Sequence, residues 1–326
     1  MADFWGDLME NTINTDDLIF CVINESQKIF KNQEQRYIGS LRLNKLTILV
    51  SEELERNDIK IEGFVWGYYR HGFYSRSVGN FLKLNFGEQI NLSQMDVGEI
   101  HVSSGVVSLI RDVIVKLHAY FVRNKKVFTK WIYGEITPPL YRDFYLTNKR
   151  FEACLEEIRK DILENNSQIT LFGEKDHNIS EIISKYYLSL EHVNDEERFE
   201  LFRKFTDIVE LVILKWNNGF NPSKVIIVLD QLLKIYKDLF AILTPYLETL
   251  RGDERVIEKE ILKHKRMVQV FKVRLNNELD ELYEKLEMDG LMPTLDELSN
   301  EIEGLYQRLP ENSKSIKELY DMNQGF

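Results

Sequence analysis

Apolar residues recur along most of this chain at intervals of three and four, the spacing that gathers side chains on one face of an α-helix. After Thr15, residues Leu18, Ile19, Val22, Ile23 and Phe30 share such a face. A second stripe, Leu43, Leu46, Val50 and Leu54, opens after Gly39-Ser40 and ends at Asn57-Asp58. The period then changes. Across residues 59–69, Phe64, Trp66 and Tyr68 alternate with Gly63, Val65 and Gly67, which predicts an aromatic strand. Ser75 is placed to cap a short helix carrying Val78, Phe81 and Leu82. Residues 86–104 read as loop with room for a short strand, and Ser103-Ser104 opens a strongly apolar helix through Val107, Ile110, Val113, Ile114 and Leu117. Pro138-Pro139 marks a loop and a domain edge.

Beyond that edge the pattern predicts helices over 151–163, 179–190 and 194–216, with an exposed loop at 165–178 and a capping box from Asn194 and Glu197. Asn221-Pro222 then starts a heptad seam: Val225, Leu229, Leu232, Tyr236, Leu239, Leu243, Tyr246 and Leu250, with a kink expected at Pro245. After a turn at 251–254, a second seam runs through Ile257, Ile261, His264, Val268, Phe271 and Leu275, then Leu282 and Leu286. Two matched seams predict an antiparallel hairpin over 223–288. A second apolar row, Ile226, Leu233, Phe240 and Leu247, exceeds what one partner helix covers and leaves a face for the rest of the protein or for another copy. Thr294 with Glu297, and Ser315 with Glu318, open two last helices. The expected fold is mainly α. A helical domain with a small β-sheet spans residues 1–145, and an all-helical region with the long hairpin spans 146–326.

Composition narrows the class. The 326 residues suit two domains, since domains run to about 100–200 residues. Hydrophobic residues at 44% and charged residues at 29% are a globular balance, and six prolines leave long helices uninterrupted. The net charge of −11 repels phosphate backbones, so contact with nucleic acid would need a local basic patch. Cys21 and Cys154 sit in no metal or C-x-x-C pattern and read as reduced core residues, as in a cytoplasm. The first residues are acidic and unlike a secretory signal, and no stretch reaches the roughly 18–20 apolar residues that cross a bilayer.

Chemistry is sparse. No phosphate-cradling G-x-x-x-x-G-K-[ST], no G-x-G-x-x-G after a strand, no G-x-S-x-G and no H-E-x-x-H occurs. The six histidines are scattered singly, so no metal, cofactor or enzymatic activity is expected. His264 reads as a histidine that has a partner or lies at the margin of the seam, or more sharply as a pH-sensitive lock on the register of the seam. Glu52, Glu53 and Glu55 read as solvated helix surface.

One window resembles a known family. Leu43-Asn44-Lys45-Leu46, then Gly63-Phe64-Val65-Trp66, then the run from Tyr69 through Gly72 to Ser75, and Val78 to Leu82 are similar to the Panacea-type antitoxin domain and its phage-associated relatives. The likeness spans residues 41–85. His71 stands where that family has tyrosine before glycine, and Phe73 where it has proline. The resemblance implies a compact helical domain with a small sheet that binds and neutralises a partner protein, a toxin or host factor.

Three candidate surfaces follow. Trp66, Tyr69, His71, Phe73, Tyr74 and Arg76 crowd one short stretch with the side chains that anchor interfaces, and an alternating strand buries one face, so some rings should reach the surface. Gln168, Leu171 and Phe172 resemble the short peptide by which bacterial proteins dock on the replication sliding clamp. The segment 116–131 holds Lys116, Arg123, Lys125, Lys126 and Lys130 with no acidic residue, interleaved with Tyr120, Phe121, Phe128 and Trp131, and suits single-stranded nucleic acid. The leading expectation is a protein-binding module, and the alternative is a nucleic-acid-associated regulator.

Overall fold

The computed structural model describes residues 12–30, 37–91, 102–164, 179–219 and 221–300. In chain order the elements are β1 (Thr12–Asn14), α1 (Thr15–Phe30), β2 (Tyr37–Gly39), α2 (Ser40–Arg56), β3 (Lys60–Glu62), β4 (Val65–Tyr69), β5 (Gly72–Tyr74), α3 (Arg76–Phe86) and β6 (Gln89–Asn91). Then come α4 (Ser104–Phe121), α5 (Lys125–Trp131), a π-helical turn (Ile132–Ile136), α6 (Pro139–Leu163), α7 (Ile179–Ser189), α8 (Glu196–Asn217), α9 (Pro222–Leu243), β7 (Arg251–Gly252) and α10 (Glu254–Met288). The protein is mainly α, as the periodicity predicts. No described helix is long and apolar enough to cross a membrane.

The chain forms two compact units. The first comprises Met1–Leu146 and Phe240–Val270, the second Thr147–Leu239 and Phe271–Phe326. Residues 240–270, read from the sequence as part of the second region, therefore cluster with the first.

In the first unit α1 and α2 both pack on α4, burying Leu18, Ile19, Val22, Ile23, Leu43, Leu46, Val50, Ile110 and Ile114. Ser75 caps α3 through the Val78 amide and Ser103 caps α4 through the Val106 amide, as expected. The 59–69 run is two strands rather than one. Gly63, at φ +75°, turns the chain, so β3 pairs in parallel with β1 while β4 joins a separate antiparallel sheet of order β5-β4-β7. The basic run after α4 is also broken: Asn124 accepts a bond from the Val127 amide at 3.0 Å and starts α5.

Pro245 does more than kink its helix. A proline has no N–H to give and its ring clashes with the carbonyl four residues back, so α9 ends at Leu243. The seam expected to continue through Leu250 instead becomes a turn that leads into β7. The segment 251–254, expected as a turn, supplies that strand: Gly252 stands opposite Val65 and Arg251 opposite Trp66. Asp253 then anchors the start of α10. Its carboxylate accepts from the Gly63 amide at 2.9 Å, and its carbonyl from the amides of Val256 and Ile257.

The second unit is built on aromatic helix faces. Phe151, Tyr186, Phe202, Phe205 and Tyr236 are fully buried together. The Tyr236 hydroxyl donates to Asn148 Oδ1 at 2.5 Å and meets the Tyr186 hydroxyl at 2.9 Å, which satisfies both phenols inside the core. Here α9 and α10 run antiparallel: Lys224 meets Asp289, Gln231 meets Lys285 and Asp238 meets Arg274. Val225, Leu229, Leu232, Leu275, Leu282 and Leu286 are buried, as the two seams predict, Leu279 is buried with them, and Ile226 and Leu233 of the second row are half-buried. Asp195, not Asn194, caps α8, accepting from the Arg198 amide at 3.2 Å. The shift by one residue lets the same carboxylate pair with Lys272 at 3.1 Å. Thr294 and Glu297 form the expected capping box, at 2.6 and 3.2 Å. Cys21 and Cys154 are buried free thiols.

Candidate functional site

The aromatic hairpin of the first unit is buried at its strand centre and partly open at its turn. Trp66 is 3% exposed and Phe73 1%, so neither is a protruding anchor. Tyr69, Tyr74 and Arg76 are half-buried, and of the six expected contact residues His71 alone is exposed. The rings that reach the surface are thus those at the turn, because both faces of β4 itself are covered. Tyr68 stands opposite Phe73 across the hairpin and packs on Tyr141 and Tyr145. On the other face Gly67 leaves room for the chain after Pro245. A Cβ there would lie 3.0 Å from the Tyr246 carbonyl and 3.3 Å from the Thr249 hydroxyl, which itself accepts from the Tyr68 amide at 2.8 Å.

Arg76 is likewise spent internally. Its guanidinium lies between the rings of Tyr69 (4.6 Å) and Tyr246 (4.5 Å), bonds His264 Nδ1 at 2.8 Å and faces Glu260 at 3.5 Å. This gives the core histidine the partner the sequence called for. Lys45, on the apolar stripe of α2, is 2% exposed and donates to the carbonyls of His71 and Phe73, the second at 3.0 Å. Burial pushes its ammonium down to about 7.

An open cleft lies beside the buried rings. Trp66, Tyr68 and Phe73 form part of its lining, with Glu52 and Arg56 of α2, Lys116 of α4, Glu135 of the π-helical turn and Arg251 of β7. Its volume is about 440 Å³. The Trp66 indole N–H is buried and meets no acceptor among the described residues. Arg251 lies over the Trp66 ring at 5.5 Å and approaches Glu52 at 4.0 Å. Burial raises the Glu52 carboxyl above its ordinary value, so this side chain, expected as solvated surface, is half in the dry interior. Glu53 pairs with Arg56 at 2.8 Å, whereas Lys116 and Glu135 form no ion pair among the described residues. The cleft thus combines an apolar floor with rim charges of both signs.

The basic segment separates in space what the sequence interleaves. Arg123, Lys125, Lys126 and Lys130 are all exposed, but Phe121, Phe128 and Trp131 are buried and Tyr120 stacks on Trp131 at 4.3 Å. The rings expected to receive bases are packed against their own unit, because helical periodicity turns them inward as it turns the cations out. Gln168, Leu171 and Phe172 lie outside the described residues. Among the described residues no cluster of histidine, cysteine and carboxylate side chains could hold a metal ion.

Sequence reasoning did not bring Glu52, Lys116, Glu135 and Arg251 together, although Lys116 stood in the basic segment. It also passed over Lys45, whose signal is a lone cation between Leu43 and Leu46 on an apolar stripe. No family model matches the chain, and no curated protein or solved structure matches it.

Proposed function

We propose that this chain is a protein-binding module that takes a segment of a partner protein into the cleft beside Trp66. The observation that carries the reading is the buried indole N–H without an acceptor. An unmet buried donor costs roughly 1–3 kcal/mol, and binding that draws the Trp66 ring towards the cleft would bring that donor to a partner oxygen and recover much of the cost. An apolar partner side chain would cover the floor, and flanking charges of both signs would meet Lys116 and Glu135. The resemblance of residues 41–85 to Panacea-type antitoxins supports a finer form of the proposal, in which the partner is a toxin that the chain sequesters. Photo-crosslinking tests it. A benzophenone side chain at Lys116 or Glu135 is expected to capture a defined partner, and the same group at exposed Leu84 is not. Equal capture from all three positions, or from none, refutes it.

The exposure of Arg123, Lys125, Lys126 and Lys130 favours a second reading, contact with a phosphate backbone without base stacking. Oligonucleotide binding that stays the same when all four become glutamine dismisses it.

A further inference from the structure

A second pocket of the first unit, on the other side of the π-helical turn's sequence, is cationic. Arg42 and Lys45 come from α2, Lys125 from α5, and Ile38, Phe128 and Tyr133 complete the principal walls. Its volume is about 400 Å³, and no acidic residue lines it among the described residues.

Lys45 differs from every other buried cation among the described residues. Arg198, Lys215 and Lys272 are buried less deeply than Lys45, and each has a carboxylate close by: Asp195 at 3.2 Å, Glu297 at 2.9 Å and Asp195 at 3.1 Å. Lys45 has two carbonyls and the face of Phe73, its ammonium 4.3 Å from the ring centroid, and no carboxylate. An ammonium has three donors, so one remains. Arg42 is half-buried and similarly uncompensated. Its guanidinium gives one hydrogen bond, to the Phe121 carbonyl at 2.6 Å, and lies over Phe128 at 4.7 Å. Lys125, exposed at the mouth, has no ion-pair partner among the described residues. Burying cations without counter-charge costs free energy that an arriving anion returns.

We propose that this pocket binds the phosphate group of a small molecule. Arg42 and Lys125, with the Lys45 amine behind them and no acid lining the pocket among the described residues, suit a dianion better than a single carboxylate, and its approach would favour the protonated form of Lys45. The depth of Lys45 favours a compact ligand over a polymer backbone, which would reach the outer cations first. The pocket size admits a mononucleotide-sized phosphomonoester or the free ion. This inference does not depend on the occupant of the Trp66 cleft.

Titration calorimetry of the full chain at physiological salt, with inorganic phosphate and with adenosine monophosphate, tests it. One-to-one binding is expected, weakened roughly tenfold or more by either Arg42→Gln or Lys125→Ala. These two side chains are not fully buried, and circular dichroism of each variant checks that it folds. Tighter binding of the monophosphate assigns a phosphomonoester, and equal binding assigns the ion itself; both support the site. The proposal is overturned if neither ligand binds at millimolar concentration, or if both variants bind as the parent does. It is also overturned if single-stranded oligonucleotide binds through Arg123, Lys126 and Lys130 without competition from the monophosphate.

Discussion

Lys45 makes the stability of this protein depend on pH in an unusual direction. In the unfolded chain its ammonium loses a proton near 10.5, whereas burial brings that down to about 7 in the folded protein. Between those values the unfolded chain holds a proton that the folded chain has released, so stability rises with pH, and below 7 the full cost of burying the charge is felt. At about 1.4 kcal/mol per pH unit the whole span amounts to about 5 kcal/mol, and the part between pH 6 and pH 9 to about 3 kcal/mol. The perturbation is Lys45→Met, which keeps the length of the stem and removes the charge. It also removes two hydrogen bonds to carbonyls, but that loss is the same at every pH. Urea denaturation of both proteins in phosphate-free buffer, at several values from pH 6 to pH 9, gives the difference between them and cancels every other titrating group. The parent should gain about 3 kcal/mol on the variant across that range. Parallel curves would refute the reasoning, since they would mean that Lys45 keeps its proton or is reached by water.

Other consequences follow from the same contacts. Gly252 has φ +116° and a Cβ there would come 2.1 Å from the Phe64 carbonyl, so Gly252→Ala should lower stability by at least about 2 kcal/mol in chemical denaturation. Burial pushes the thiols of Cys21 and Cys154 up to about 12, so neither should react with a disulfide reagent at pH 8 until denaturant is added. Hydrogen bonds from Arg255 and then from the Gly63 amide hold the Asp253 carboxyl down to about 2, against 3.8 for the free group. Its contribution is therefore present above pH 4 and is lost as pH falls towards 2, and Asp253→Asn should flatten the acid limb of a melting-temperature profile.

Local rules carried the helices well. Stripes such as Leu18–Val22 and the α9 seam up to Leu243, together with the caps at Ser75, Ser103 and Thr294, depend on neighbours within a turn or two, and such neighbours are visible in sequence. The departures arise where distant segments meet. The aromatic strand was expected to show one face because nothing local announces that residues 246–252 return to cover the other. Pro245, read as a kink, supplies that return by ending its helix. The cap of α8 moved to Asp195 because Lys272, far along the chain, also needs that carboxylate. The cleft was illegible for the same reason: Glu52, Lys116, Glu135 and Arg251 come from four elements and share no motif. Residues 132–136 form a π-helical turn that no periodicity argument separates from the helices beside it, yet it sends Glu135 to one pocket and Tyr133 to the other.

The account turns on the Trp66 N–H meeting an oxygen of the bound partner. Trp66→Phe deletes that donor and keeps an aromatic ring on the cleft floor. The decisive measurement is the dissociation constant of the crosslinked partner for the parent and for this variant, taken with their melting temperatures. The account predicts binding weakened roughly tenfold or more, with a melting temperature that falls by no more than a few degrees. Unchanged affinity in a folded Trp66→Phe protein would contradict it.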